Sequence, residues 1–199
     1  MKILKYILFG LLALVVLFFA VGVLKPTITY GHEITVDKPL REAWAVTKDE
    51  SKYDQWLEGF QSIELIEGEK DQPGSKYRVV VDPGNGQGEF EMIETLLDIK
   101  EFEKVEMHYD SEFMDFEHSF THAEKDGKAT VTSEGTVKAK GLMMRSMFAL
   151  MEMLTGSFTA QEQKNMEALK KVIEENTTDY YPAPPVPEDQ EAPAENSSE

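Results

Sequence analysis

Hydrophobic and polar positions along the chain fall into three regimes. From Tyr6 to Leu24 no residue is charged and almost all are apolar, with Lys2 and Lys5 before the run and Lys25 after it. As a helix these residues measure roughly 28 Å at ~1.5 Å per residue. A hydrocarbon core is about 30 Å thick, so the run can span it with anchoring at the interfaces. Residues 1–25 therefore read as a transmembrane signal-anchor. The competing reading is a cleaved signal peptide with Ala20-Val21-Gly22 as a loose small-x-small site; against it, the apolar run exceeds the usual ~7–15 residues. The positive charge ahead of the run favours a cytoplasmic N-terminus and places the rest of the chain on the non-cytoplasmic side.

Residues 26–176 carry the second regime. His32 to Val36 alternates as a strand, which residues 28–30 can extend. Pro39 supplies a first-turn residue, and Leu40, Ala43, Trp44 and Thr47 then share one face of a short helix. Ser51 is placed to cap a second short helix carrying Tyr53, Trp56 and Leu57. From Ile63 the period drops to two. Strands are predicted at about 61–69, 75–82, 88–99, 103–111, 114–124 and 128–139, separated by hairpin joints at DQPG, at DPGNGQG, near Lys100 and at the Asp-Gly step of EKDGK. A helical period returns over about 142–175, where Leu150 or Met151, Leu154, Phe158, Met166, Leu169 and Ile173 recur near every 3.6 residues. Gln161, Glu162, Gln163, Lys164, Glu167, Lys170 and Lys171 fall around the other sides. Gly156-Ser157 marks a bend or break in that helix.

The third regime is residues 177–199, with six acidic residues, no basic ones, and five prolines between Pro182 and Pro193. Such a segment buries too little apolar surface to offset chain entropy, so a disordered acidic tail is expected. PAPPVP has the spacing of a proline-recognition ligand but no flanking basic residues.

These elements predict an α+β domain: one strand, two short helices, a β-meander, then a long helix. An antiparallel sheet can leave one face wet but needs cover on the other. The terminal helix is the only element long enough to supply it. A curved sheet gripping that helix leaves room for a pocket between them. Alternation assigns the inward faces. Met114, Phe116, His118, Phe120 and His122 share one, as do Val105, Met107 and Tyr109, then Tyr77, Val79 and Val81, and Met92, Glu94 and Leu96. Such residues line a pocket or simply fill a core. Arg78 and His108 have the outward parity. The methionines 143, 144, 147, 151 and 153 suit helix packing, pocket lining or a bilayer surface, where Arg145 would meet headgroups and Phe148 the interface.

Composition narrows the chemistry. The chain has no cysteine, which removes disulfides, thiolate zinc sites and cysteine nucleophiles. The formal net charge is −17, a poor match to a phosphate backbone, so no nucleic-acid partner is expected. HExxH, GxSxG and GxxxxGK are absent, and GNGQG lies between strands rather than before a helix. His118 and His122 share a face but stand about 13 Å apart along a strand, too far to chelate one ion. Neither a metal nor a cofactor is expected.

The stretch ITVDKPLREAWAVTKDESKYDQWLEGFQSIELIEGEKDQPGSKYRV joins a strand, Pro39, a helix with Trp44, a helix with Trp56, and a strand before Gly74. In this, and in element order over about Ile34 to Glu174, the chain resembles the START-like helix-grip (SRPBCC) superfamily of polyketide cyclases, plant allergens and lipid-transfer domains. The resemblance implies a cavity for a hydrophobic or amphipathic small molecule. Trp44, Trp56, Tyr77, Val79, Met92, Met107, Tyr109, Phe116, His118, Phe120, Met147, Met151 and Phe158 are the expected ligand contacts, and residues 6–24 the contact with membrane lipid. The alternatives are a cyclase or dehydratase, with His118 as acid–base group and Tyr109 as hydroxyl donor, and a ligand-free envelope interaction protein. The anchor and the tail lie outside the superfamily's pattern.

Overall fold

The computed structural model describes residues 2–84, 86 and 88–182. Asn85, Gln87 and the proline-rich stretch beyond Pro182 lie outside the described residues, as does most of the expected tail.

The chain opens with helix α1, Lys2–Leu24, followed by strand β1, Ile28–Val36, which includes the predicted extension. Helix α2, Leu40–Thr47, is followed by a 3-10 turn, Glu50–Lys52, and by α3, Tyr53–Trp56. The cap of that turn is Asp49 rather than Ser51: the Asp49 carboxylate accepts from Ser51 N at 3.1 Å and from Ser51 Oγ at 2.6 Å. An aspartate two residues back reaches the free amides that a serine inside the turn cannot. Six strands follow: β2 Phe60–Glu67, β3 Lys76–Val81, β4 Phe90–Lys100, β5 Lys104–Asp110, β6 Met114–Lys125 and β7 Lys128–Ala139. Two helices end the body, α4 Leu142–Thr155 and α5 Ser157–Glu174. The expected long helix is divided at Gly156, whose φ of 59° and ψ of 34° are left-handed, a conformation that costs glycine nothing.

The strands make one antiparallel sheet in the order β1-β7-β6-β5-β4-β3-β2. Chain-sequential hairpins run from β2 to β7, and β1 pairs along its whole length with β7, from Ile28 opposite Val137 to Val36 opposite Ala129. Between β4 and β5 the register slips after Leu96–Met107, leaving Leu97 as a bulge that points to solvent. Such a bulge bends and twists the sheet, here around α5. The sheet therefore grips its helix, as expected for a helix-grip α+β fold.

The core fills one end of that grip. Met166, Leu169 and Ile173 on α5 are fully buried with Val36, Val46 and Val131, on the helical stripe the sequence predicts. The small residues near the other end do something different. Gly22 of α1 is buried against Ser146 of α4; a Cβ on Gly22 would lie 2.7 Å from the Ser146 backbone nitrogen. The two helices are thus in backbone-close contact near the C-terminal end of α1. Residues 177–182, grouped with the tail by composition, lie on the body: Tyr180 Oη donates to Asp49 at 2.6 Å, and the Arg41 guanidinium sits 4.0 Å from the Tyr181 ring centre.

Candidate functional site

Where the core stops, the sheet and the α4–α5 pair stand apart and leave a cleft of about 430 Å³. Its floor is the inward face of the sheet: Val79 and Val81 from β3, Met92 from β4, Tyr109 from β5, Phe116 and His118 from β6, and Tyr30 from β1. Its roof is Phe148 and Met151 of α4 with Phe158 of α5, and Leu57 and Phe60 close one side. The aromatic rings brace one another. Tyr109 stacks on Phe116 at 4.3 Å, Tyr30 on Phe158 at 6.0 Å, and Phe148 lies 5.5 Å from Phe158. A second space of about 100 Å³ lies deeper, bounded by Trp56, Tyr77, Glu94, Met107 and Phe120 among others. It shares Leu57, Tyr109 and His118 with the outer cleft.

Eleven of the thirteen expected ligand contacts thus border one or both spaces. Trp44 and Met147 do not. Trp44 turns to the filled end of the grip, 5.0 Å from the His122 ring and 6.0 Å from Phe102. Met147 faces outward and is 37% exposed. Arg78 is solvent-facing as parity predicts, with Glu64 at 3.1 Å and Glu91 at 3.7 Å.

The polar end of the cleft is a cluster the sequence did not reveal. Glu162, assigned to the outer side of its helix, is 7% exposed and faces the sheet. Its spacing from Met166, Leu169 and Ile173 puts it on the same helical face as those three; that phase was the available signal. Ser133 Oγ donates to Glu162 Oε1, and His118 Nε2 is 2.9 Å from Ser133 Oγ and 3.6 Å from Glu162 Oε1. Burial resists charge on Glu162, yet its bond to His118, the nearby imidazole and the Ser133 hydroxyl hold its carboxyl below the usual range. A serine hydroxyl has one proton. With that proton on Glu162, His118 Nε2 must be the donor to Ser133. A nucleophilic triad needs the reverse: a carboxylate on Nδ1 and a bare Nε2 facing the serine. Here both partners meet the same nitrogen, so the cluster orients and polarises His118 and does not activate Ser133.

Tyr30 reaches this cluster because Gly135 lies opposite it on β7. A Cβ there would come within 2.6 Å of Tyr30 Cε2. Gly135→Ala is expected to push the Tyr30 ring toward Phe158 and cost about 1–3 kcal/mol, the usual penalty of overpacking. Denaturant melts at pH 7 check this; a change within about 0.5 kcal/mol would mean the ring is not seated over the glycine.

Two other buried groups qualify the site. Glu94, flanked across the sheet by Tyr77 and Tyr109, is pushed up to about 7 by burial, although the Tyr109 hydroxyl draws it down. His122 is lowered to about 4 by burial; it lines neither space, but bonds Oγ1 of Thr47, which borders the deeper one, at 3.2 Å. Ser157 Oγ and Trp56 Nε1, each on a residue bordering one of the spaces, have no hydrogen-bond partner among the described residues. Among the described residues, no three His, Asp or Glu side chains come together as metal ligands.

The geometry has known counterparts. The fold is similar to that of the allergen Ara h 8.0201, with a TM-score of 0.58 and 17% identity over 75% of this chain and 99% of that one. A conserved protein from Geobacillus kaustophilus matches with a TM-score of 0.57 and 20% identity, over 73% of this chain and 95% of that one. The di-domain aromatase/cyclase BexL from the BE-7585A biosynthetic pathway matches with a TM-score of 0.55 and 15% identity, over 77% of this chain and 52% of its own length. At these identities the likeness shows a shared fold. No curated protein sequence matches the chain. The family model for polyketide cyclase, dehydrase and lipid transport proteins matches residues 27–174, which is the whole sheet with its gripped helices, and on that match the chain belongs to the polyketide cyclase/dehydrase and lipid transport family.

Proposed function

We propose that the body holds a lipid or other amphipathic small molecule in the cleft between the sheet and the α4–α5 pair, beside a membrane in which α1 is retained as the anchor. The observation that carries this reading is the cleft itself: about 430 Å³, walled mainly by apolar and aromatic side chains, with the His118–Glu162 cluster at its end and the hydrogen-bonded Glu58, Gln161 and Asn165 on its rim. That volume falls within the ~300–1,000 Å³ of small-molecule sites, which pair an apolar lining with a few placed polar groups. Each buried methylene would supply about 0.8 kcal/mol before the costs of association. His118, with Glu162 behind it, and the Ser157 hydroxyl would meet the polar end of the ligand. Lys2–Leu24 has the length and composition of a membrane span, as signal sequences also have. The charges ahead of it favour placing the body on the non-cytoplasmic side.

The test uses the full chain in lipid nanodiscs and a dansyl-labelled fatty acid as probe. Val81→Trp fills the cleft from its half-buried rim and is expected to weaken probe binding by about tenfold or more. Leu65→Trp, on an exposed position of β2, is expected to leave binding unchanged. Equal binding by wild type and the properly folded Val81→Trp would remove the cleft as the site. A reading in which His118 performs acid–base chemistry on the bound molecule draws support from its place on the cleft wall and its polar partners. It predicts loss of turnover in His118→Asn with probe binding intact.

A further inference from the structure

Helix α4 carries a stripe that nothing among the described residues covers. Met143, Met147 and Met151 recur every four residues, and Leu154 continues the line. They are 69%, 37%, 44% and 74% exposed. The helix has two charged residues, and both turn inward. Arg145 Nε donates to the Ala139 carbonyl at 3.1 Å. The Glu152 carboxylate caps α5, accepting from Phe158 N at 2.8 Å and Thr159 Oγ1 at 2.6 Å. The exposed stripe is therefore uncharged on a body that otherwise shows water many acids.

Its depth follows from α1. The apolar run ends at Leu24, so a membrane boundary falls near Lys25. Gly22 lies two residues inside that end, about 3 Å at ~1.5 Å per residue. Ser146, in the second turn of α4, touches the Gly22 backbone, so the start of α4 is held at the level where α1 leaves the lipid. An amphipathic helix in an interface buries its apolar face by about 5–10 Å, a depth this contact satisfies. Met151 belongs both to the stripe and to the cleft wall.

We infer that α4 lies in the membrane interface with Met143, Met147, Met151 and Leu154 in the lipid, so that the cleft opens at Met151 directly into the bilayer. This rests on the reading of α1 as a retained span. The occupant is the surface of a neutral bilayer. Of the cations at this level, Lys140 is held by Asp110 and Asp115 and Arg145 is turned to the Ala139 carbonyl, which leaves Lys25 against an acidic body that would be repelled by anionic lipid.

The absence of cysteine makes a direct test available. Leu14→Cys, Met147→Cys and Gln163→Cys in the full chain are each labelled with NBD and reconstituted in phosphatidylcholine vesicles containing a doxyl-labelled lipid. Quenching at Met147 is expected to reach about half or more of that at Leu14, with the shallow spin label the more effective, while Gln163 on α5 stays unquenched. If Leu14 is quenched and Met147 behaves like Gln163, the placement of α4 is overturned and the anchor stands. If Leu14 is unquenched, anchor and placement both fail. Protection of Met147 that depends on protein concentration, without quenching by lipid, would show a second copy on the stripe and overturn the proposal.

Discussion

Glu94→Gln is expected to raise the melting temperature of the full chain at pH 8 by about 6–12 °C and to change it little at pH 4. Glu94 is 9% exposed and its carboxyl is pushed from 4.5 up to about 7, by burial first and then by Glu50, against the pull of the Tyr109 hydroxyl. A carboxyl whose folded pKa is raised stabilises the fold relative to its ionised form only while protonated. Its contribution is full below 4.5 and is lost as pH rises through about 7. The displacement is worth about 3 kcal/mol at ~1.4 kcal/mol per pH unit. Glutamine keeps the shape and can still accept from Tyr109, but has no charge to bury. His122 works in the opposite sense. Lowered to about 4, it supports the fold above 6.5 and withdraws that support as pH falls toward 4. Wild type should thus be most stable between these limits. The variant should instead hold a plateau above 6.5 and fall only on the acid side, where Glu162 also loses its charge. Thermal melts from pH 4 to 8 in mild detergent decide it. Equal effects of the substitution at both ends of that range would show that Glu94 does not titrate as a buried acid.

Leu169→Ala should cost about 2–5 kcal/mol, the range for a large side chain removed from a sealed core. Leu169 is fully buried between Met166 and Ile173 on α5, a helix that packs on β1, α2 and α3, elements remote in sequence that cannot collapse onto the gap together. Because α5 also carries Glu162 to Ser133 and His118, loosening it should release the polar end of the cleft. Met151→Ala, at a half-exposed site, makes the contrast and should stay within about 0.5 kcal/mol in the absence of membrane. Urea unfolding of both variants is the measurement. A loss below about 1 kcal/mol for Leu169→Ala would mean that the sheet does not hold the helix as described.

Element order was readable from the sequence because alternation and the 3.6 period are properties of single segments. Strands β2 to β7 begin and end within about two residues of their predicted limits, a normal margin for element ends. What escaped lies between segments. Glu162 looked like surface because of its charge, although its phase matched Met166 and Leu169. Tyr30 reaches the cleft through a missing side chain at Gly135, on a strand distant in sequence. The contact of Gly22 with Ser146 joins two small residues with no hydrophobic signal of their own. Trp44 and Met147 have the right type for a ligand wall. Their placement depends on which end of the grip is filled, and that is decided by Met166, Leu169 and Ile173 together.

Only Lys25, Pro26 and Thr27 separate α1 from β1. Fully extended, three residues reach about 10 Å, and the α1–α4 contact shortens even that leash. With α1 retained as the proposed anchor, the body stays beside that membrane and does not carry a ligand across an aqueous gap. Any traffic with a second surface requires that surface to come to the protein, within roughly the width of one domain.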